Sequence, residues 1–189
     1  MRVIAGTARS IPLITPEGMD TRPTTDRIKE TLFNMLQFDL QFCRFADFFA
    51  GSGAMGIEAL SRGAIEAAFI DYSPKAISCI KKNLEKCHFT ERALVMQEEA
   101  ASAAARLSVR WARGEENEPE HILFLDPPYG KGLELPVLQI IRETGLARPT
   151  DRVIVETSLQ GGFAGAPCYE IVKEKKYKNQ KHVFLRICG

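Results

Sequence analysis

The run Leu125-Asp126-Pro127-Pro128-Tyr129 contains the residue types needed to hold an amine. Two consecutive prolines fix the backbone and remove two amide donors, so the Asp126 carboxylate and the Pro127 carbonyl are left as acceptors. The exocyclic amine of a purine is a poor nucleophile because its lone pair is delocalised into the ring. Two acceptors that hold its N–H groups can turn the lone pair towards an electrophilic methyl group, while Tyr129 stacks on the base. We therefore predict that Asp126, Pro127 and Tyr129 orient a base amine; a turn with no chemical role is the alternative.

A second run, residues 47–56, contains Gly51, Gly53 and Gly56 in the spacing GxGxxG. Glycines between a strand and a helix let the backbone approach a ligand and direct amides towards it. Asp71 ends the next predicted strand, where an acid can accept both ribose hydroxyls. The pattern fits a nicotinamide dinucleotide as well as S-adenosylmethionine, and a tight turn without ligand is the third possibility. A Walker A phosphate loop is excluded, because no Gly-Lys-Ser/Thr follows.

The elements that must position these two runs alternate between short apolar strands and helical stretches. Helices are predicted after the capping residues Thr24 to Asp26 and Ser73-Pro74, through Gly56 to Leu60, in the alanine-rich stretch after Met96, and around Leu138. Strands are predicted near residues 45–49, 67–70, 94–96, 122–125 and 153–155. This order predicts an α/β fold with a mainly parallel, doubly wound sheet. Ligands collect at the carboxyl ends of such strands, so both runs should face one crevice.

The two ends of the sequence depart from this alternation. Residues 169–172 and 183–187 have no helical pattern between them, which predicts an antiparallel hairpin at one edge of the sheet. Residues 1–22 form a basic arm punctuated by prolines, for which we expect a small β structure. Residues 23–189 then form a single domain, since 189 residues bury one core without dividing into two.

Composition limits the partners. The formal net charge of +1 gives no support for a polyanionic ligand, but the last 21 residues hold six basic and two acidic side chains. That segment is either an RNA-facing patch or an edge strand protected by lysines. Five cysteines without a CxxC pair and three separated histidines argue for reduced thiols and no metal site. No apolar stretch reaches membrane-spanning length, and the N-terminus lacks a secretory pattern, so we expect a cytoplasmic protein.

A resemblance to one family rests on several of these segments. The tetrapeptide at residues 126–129 resembles the signature of amino-methyltransferases. Residues 1–6 (Met-Arg-Val-Ile-Ala-Gly), 22–30 (Arg-Pro-Thr-Thr-Asp-Arg-Ile-Lys-Glu) and 49–64 (from Phe-Ala-Gly-Ser-Gly to Arg-Gly-Ala) resemble the bacterial RsmD family. The resemblance spans nearly the whole chain. It implies a Rossmann-like class I fold that binds S-adenosylmethionine and methylates N2 of one guanine in 16S ribosomal RNA.

The resemblance also implies roles for individual residues. Cofactor contacts are implied for the glycine loop, the ribose acid with its neighbour and the adenine site: Asp47, Phe49, Ala50, Gly51, Ser52, Gly53, Gly56, Asp71, Tyr72, Glu99 and Ala100. RNA contacts are implied for Arg2, Arg9, Arg22, Thr24, Arg27 and Lys29. Three positions depart from the family pattern: Glu99 replaces an aspartate, Thr157 replaces the histidine after Glu156, and Asn179 replaces a glycine.

The sequence leaves several alternatives open. A nicotinamide-dependent oxidoreductase would use the same glycine loop but leaves residues 126–129 unexplained. Methylation of adenine N6 in RNA or DNA would use the same tetrapeptide, although the chain has no insertion large enough for a DNA target-recognition domain. A non-catalytic RNA-binding assembly factor is the remaining class. For the leading interpretation we expect 16S ribosomal RNA or the small ribosomal subunit as partner, a monomer, no metal and no membrane.

Overall fold

One seven-stranded sheet organises the chain, whose computed structural model describes residues 1–16, 25–112, 114, 118–160 and 162–188. The strands are β1 (Arg44–Asp47), β2 (Glu66–Asp71), β3 (Ala93–Gln97), β4 (His121–Leu125), β5 (Arg152–Ser158), β6 (Tyr169–Lys176) and β7 (Gln180–Ile187). Their order is β3-β2-β1-β4-β5-β7-β6. The first five pair in parallel, whereas β7 runs antiparallel to both β5 and β6. The predicted mainly parallel sheet with a C-terminal hairpin is confirmed, although the hairpin strands extend further than the apolar runs indicated.

Two of the five helices begin where the capping residues predict, and the other predicted helices are also present. The five are α1 (Asp26–Met35), α2 (Ala54–Ser61), α3 (Pro74–Cys87), α4 (Ala100–Arg110) and α5 (Glu134–Glu143), with a short 3-10 helix at Thr90–Arg92. The Thr25 hydroxyl accepts a hydrogen bond from the Ile28 amide, and the Ser73 hydroxyl accepts one from Ala76. These bonds satisfy amides that have no partner inside their helices, so capping fixes both starting points.

Alternate residues of the central strands enter two separate cores. Phe45 and Ile122 pack with α1, α2 and α3 on one face of the sheet. Their neighbours Ala46 and Leu123 pack with α4 and α5 on the other. Both faces of a strand are therefore apolar, which is why the strand sequences are continuous apolar runs without alternation. This double covering leaves the strand ends as the sites where polar side chains can gather.

The N-terminal residues are fastened to α2. Val3, Ala8 and Leu13 are buried in the same core as α2, and a β bridge joins Arg2 to Pro12. Gly6 has φ +83°, and a Cβ there would lie 1.8 Å from the Ser61 carbonyl oxygen at the end of α2. Only glycine fits such an approach. The expected small β structure is thus this one bridge among the described residues of the arm, and the domain boundary at residue 22 lies outside the described residues.

A buried ion pair joins α1, α2 and the arm. Lys29 Nζ lies 3.0 Å from Glu58 Oε2, and both side chains have no exposed surface. The same ammonium donates to the Arg2 carbonyl at 2.7 Å, while the Glu58 carboxylate also accepts from the amides of Ile4 and Ala5. Burial lowers the pKa of Lys29, and the charge of Glu58 opposes that shift. An ammonium in this position depends on its carboxylate partner.

Replacing Glu58 by alanine should lower the free energy of unfolding by about 3–5 kcal/mol, because the Lys29 charge is then buried without its partner. Urea unfolding followed through Trp111, the one tryptophan of the sequence, measures this value. Arg106→Ala is the control, because it removes the outer partner of an ion pair whose arginine is 74% exposed. It should cost less than about 1 kcal/mol. Equal losses of unfolding free energy in the two variants would show that the buried pair stabilises the fold no more than an exposed pair does.

Candidate active site

Four carboxylates gather at the carboxyl ends of neighbouring strands. Asp47 ends β1, Asp71 ends β2, Asp126 follows β4, and Glu156 lies in the last half of β5. Asp47 is buried, and one of its carboxylate oxygens, Oδ1, has no hydrogen-bond partner among the described residues. Burial raises its pKa well above the ordinary value, as do the charges of Asp126, Asp71 and Glu156, although the Phe49 amide donates to Asp47 and opposes the shift.

Asp126 shares this electrostatic environment. Desolvation by the surrounding protein raises the pKa of Asp126 well above the ordinary value, and the negative charge of Glu156 raises it further. Asp126 as a whole residue nevertheless remains partly exposed. A partly accessible carboxylate with a raised pKa is both a hydrogen-bond acceptor when ionised and a competent acceptor of a proton.

The glycine loop between β1 and α2 holds its backbone close to Asp71. The Gly51 amide donates to Asp71 Oδ2 at 2.9 Å, and the Ser73 amide donates to Oδ1 at 2.8 Å. Gly51 has φ +53°, and a Cβ added there would meet no atom within 4 Å, so open space lies in front of the loop. At Gly56 a Cβ would lie 2.4 Å from the Phe69 ring, so that glycine permits α2 to pack closely on β2. The loop therefore combines a close-packed base with an open face.

Asn83 connects the arm to this loop, and sequence reasoning missed it. Its side-chain oxygen accepts from the Ile14 amide at 2.8 Å. Its side-chain nitrogen donates to the carbonyls of Ile14 and Ser52, each at 2.9 Å. An asparagine in a predicted helix gives no sign of such a role, because the bonds join segments that are far apart in the sequence.

A cleft of about 270 Å³ opens beside the carboxylates. Pro127, Pro128 and Tyr129 form one side, residues 162–165 contribute to another, and Glu156 and Thr157 line it from β5. The Thr157 hydroxyl accepts from the Phe163 amide at 3.0 Å, which holds the second side to the strand. Two of the three predicted amine-orienting residues, Pro127 and Tyr129, therefore line a concave surface, and Asp126 directly precedes Pro127 in the chain.

Glu156 is held by side chains of β7. His182 Nε2 lies 2.8 Å from one carboxylate oxygen, and Gln180 donates to the other. Burial lowers the pKa of His182 to about 4, so its ring is neutral near pH 7. A neutral ring that donates from Nε2 accepts at Nδ1, where the Tyr177 hydroxyl lies 3.1 Å away. Sequence reasoning did not assign Glu156 to the site, although an acid near the carboxyl end of an apolar strand is the same signal that identified Asp71.

Comparison with known proteins identifies the family. A family model described as Conserved hypothetical protein 95 matches residues 1–186. The Ribosomal RNA small subunit methyltransferase D of Haemophilus influenzae is 33% identical over 178 residues, which cover 93% of this chain and 88% of that protein. The chain belongs to the RsmD family.

Solved structures agree with this assignment. The Escherichia coli protein yhhF superposes with a TM-score of 0.81 at 30% identity, covering all of this chain and 98% of that one. An RNA methyltransferase from Salinibacter ruber, in complex with S-adenosyl-L-homocysteine, superposes with a TM-score of 0.63 over 88% of this chain and 94% of that one. At 12% identity this second likeness shows the fold alone. The RsmD family member described here therefore has a Rossmann-like methyltransferase fold.

The other cofactor residues implied by the RsmD resemblance lie along the same edge of the sheet. Phe49 and Ser52 are half-buried on the glycine loop, and Ala50 and Gly53 are buried there. Tyr72 is 65% exposed directly after Asp71. Glu99 is exposed at the start of α4, where its side chain makes no capping bond, and Ala100 is buried beneath it. Their contacts with a cofactor remain predictions.

The RNA-contacting residues implied by the RsmD resemblance differ in their exposure. Arg2, Arg9 and Arg27 are exposed, and Arg2 lies 3.7 Å from Asp26. Arg22 and Thr24 lie outside the described residues. Lys29 requires a correction: its ammonium is fully buried against Glu58, so it is a structural cation and does not present charge to RNA.

Within the described ranges no three histidine, cysteine or acidic residues are grouped so that they could hold a metal ion. Nor does any helix in that part of the chain have the length and apolar character required to cross a membrane.

Asp47→Asn should make the free energy of unfolding less dependent on pH. The raised pKa of Asp47 contributes stability that is fully present below its ordinary value of 3.8 and is lost as pH rises through the folded-state value. Removing the charge should therefore stabilise the ligand-free protein increasingly as pH rises from the ordinary value towards the folded-state value. Urea unfolding across this range measures the effect, with Glu143→Gln on the exposed side of α5 as the control. A constant difference between wild type and Asp47→Asn would contradict the assignment.

Proposed function

We propose that this protein transfers a methyl group from S-adenosylmethionine to the exocyclic N2 amine of a guanine in 16S ribosomal RNA. The observation that carries the proposal is the common edge of the sheet shared by the open glycine loop, Asp126 and the cleft lined by Pro127 and Tyr129. The loop can hold a cofactor and the cleft a base. The names of the relatives support ribosomal RNA of the small subunit as the substrate.

The charge of this edge favours S-adenosylmethionine over a nicotinamide dinucleotide. Asp71, Asp126 and Glu156 lie close enough to Asp47 for their negative charges to raise its pKa. A sulfonium and an α-ammonium reduce that repulsion, whereas the pyrophosphate of a dinucleotide increases it. The unpartnered Asp47 oxygen and the open space before Gly51 fit a ligand that carries both cationic groups and a ribose. In this assignment the glycine loop holds the methionine portion, Asp71 the ribose, and Glu99 with Ala100 the adenine.

The residues of the chain then have simple tasks. S-adenosylmethionine, when bound, supplies a methyl group that is already strongly electrophilic, so no covalent nucleophile is needed. Asp126 and the Pro127 carbonyl accept hydrogen bonds from the amine and orient its lone pair, while the half-exposed Tyr129 ring stacks on the flipped-out base. The raised pKa of Asp126 suits it to accept the proton that the methylated amine releases.

RNA binding is assigned to the arm and the start of α1. Arg2, Arg9 and Arg27 are exposed and provide phosphate contacts that carry no sequence information themselves. Residues 1–22 act in this proposal as the RNA-contacting arm of a methyltransferase domain at 23–189, with Arg22 and Thr24 in the same role. Monomeric state and cytoplasmic location also remain predictions.

The testing experiment is transfer of labelled methyl from S-adenosylmethionine to small ribosomal subunits from a bacterium that lacks this modification. Naked 16S RNA and duplex DNA are assayed in parallel. We expect label in N2-methylguanine, and a loss of at least about 100-fold in Asp126→Ala, because the amine is no longer oriented. Label in adenine N6 would replace guanine as the target. Function in ribosome assembly that survives Asp126→Ala without any transfer would favour a non-catalytic factor.

The rate of methyl transfer should also depend on pH through Asp126. The ionised carboxylate is the acceptor, so single-turnover rates should fall as pH falls through a pKa above the ordinary aspartate range. Glu156→Gln removes a negative charge that raises this pKa, so the midpoint should move to lower pH, whatever the absolute rate. Glu134→Gln, which changes another carboxylate of the same cleft, is the matched control. An unmoved midpoint in Glu156→Gln would show that Asp126 does not govern the profile.

A further inference from the structure

We infer that Glu156 selects guanine over other bases by accepting a hydrogen bond from guanine N1–H at the floor of the cleft. This inference rests on the proposed function, because it concerns the base whose amine Asp126 orients. It adds a residue that reads the base to those that orient the amine.

Glu156 lies in the lining of the cleft, close to Asp126. It lines the cleft together with Pro127 and Tyr129, and its charge acts directly on Asp126. Its side chain is only 3% exposed, so the carboxylate lies deep and is reached by the edge of an inserted base. Asp126 follows β4, and Glu156 lies on β5, which pairs with β4 in parallel. The two carboxylates are therefore presented by neighbouring strands to one ligand.

Guanine and adenine differ in the group next to their exocyclic amine. On the Watson–Crick edge of guanine, the N1–H donor lies directly beside the N2 amine, so two acceptors side by side match two adjacent donors. Adenine has an acceptor at N1, next to its N6 amine. With adenine in the cleft, the Glu156 carboxylate would face the lone pair of adenine N1, and two acceptors that face each other repel. The arrangement therefore favours an amine whose ring neighbour is a donor.

Hydrogen bonds from β7 hold the Glu156 carboxylate in place. The register of β5 and β7 sets Glu156 opposite His182 and brings Gln180 within reach. His182 holds one carboxylate oxygen at 2.8 Å and is itself bound by Tyr177. A carboxylate offers about four acceptor positions, so donors from β7 and one from a base can bind at once. Glu156 is thus oriented before a base enters, as a residue that discriminates between bases requires.

The test replaces the methylated guanine by 2-aminopurine, which keeps the N2 amine but has an acceptor at N1. The substituted 16S RNA is reconstituted into small subunits, and single-turnover methyl transfer is compared with the guanine form. We expect wild type to be slower on 2-aminopurine by about 100-fold or more. In Glu156→Gln the side-chain amide can donate to N1 of 2-aminopurine, so the ratio of guanine to 2-aminopurine rates should shrink at least about tenfold.

The controls separate this inference from the proposed function. Glu134→Gln makes the same chemical change elsewhere in the cleft and should keep the wild-type ratio. Equal wild-type rates on guanine and 2-aminopurine would overturn the inference without use of any variant, and so would an unchanged ratio in Glu156→Gln. Absence of transfer to guanine by wild type would overturn the proposed function itself. Thermal unfolding and cofactor binding of each variant show whether it is folded.

Discussion

Repulsion between carboxylates at one edge of the sheet is the interaction on which the rest of this structure depends. Asp47 ends β1, the middle one of the five parallel strands, and the strands on either side of β1 supply Asp71 and Asp126. Burial and mutual charge raise the pKa of Asp47 and of Asp126. Such an arrangement costs stability and persists because two apolar cores hold the strands in place from both faces.

The same repulsion explains why the site suits its proposed ligands. A cationic cofactor relieves it on one side, and the N–H groups of a base relieve it on the other. An acidic edge in an RNA-modifying protein is otherwise unexpected, because RNA is itself a polyanion. Exposed basic residues that can bind phosphates lie on the arm, on α1 and on the β6–β7 hairpin.

Local patterns in the sequence predicted the elements well, because local physics determines them. Apolar runs identified the strands, and Ser73-Pro74 identified the start of α3 through its capping chemistry. The hairpin turn needs no glycine at Asn179, since the positive-φ residues among those described do not include it. Contacts between distant segments could not be predicted. Lys29 has the pattern of an exposed helical cation, and only the approach of Glu58 from α2 makes it a buried one. The partnership of Glu156 with His182 depends on the register of two antiparallel strands, which no single segment specifies.

The strand order gives β7 an importance that its position in the sequence conceals. It lies inside the sheet, between β5 and β6, although it is made after both. A fragment that stops before Gln180 would contain the glycine loop and Asp126, but β5 would have an unpaired edge and Glu156 would lack both of its β7 donors. Because β7 comes last of these elements in the chain, synthesis completes the glycine loop before it completes the support of Glu156, and in the proposed function the cofactor loop is therefore made before the base-reading floor.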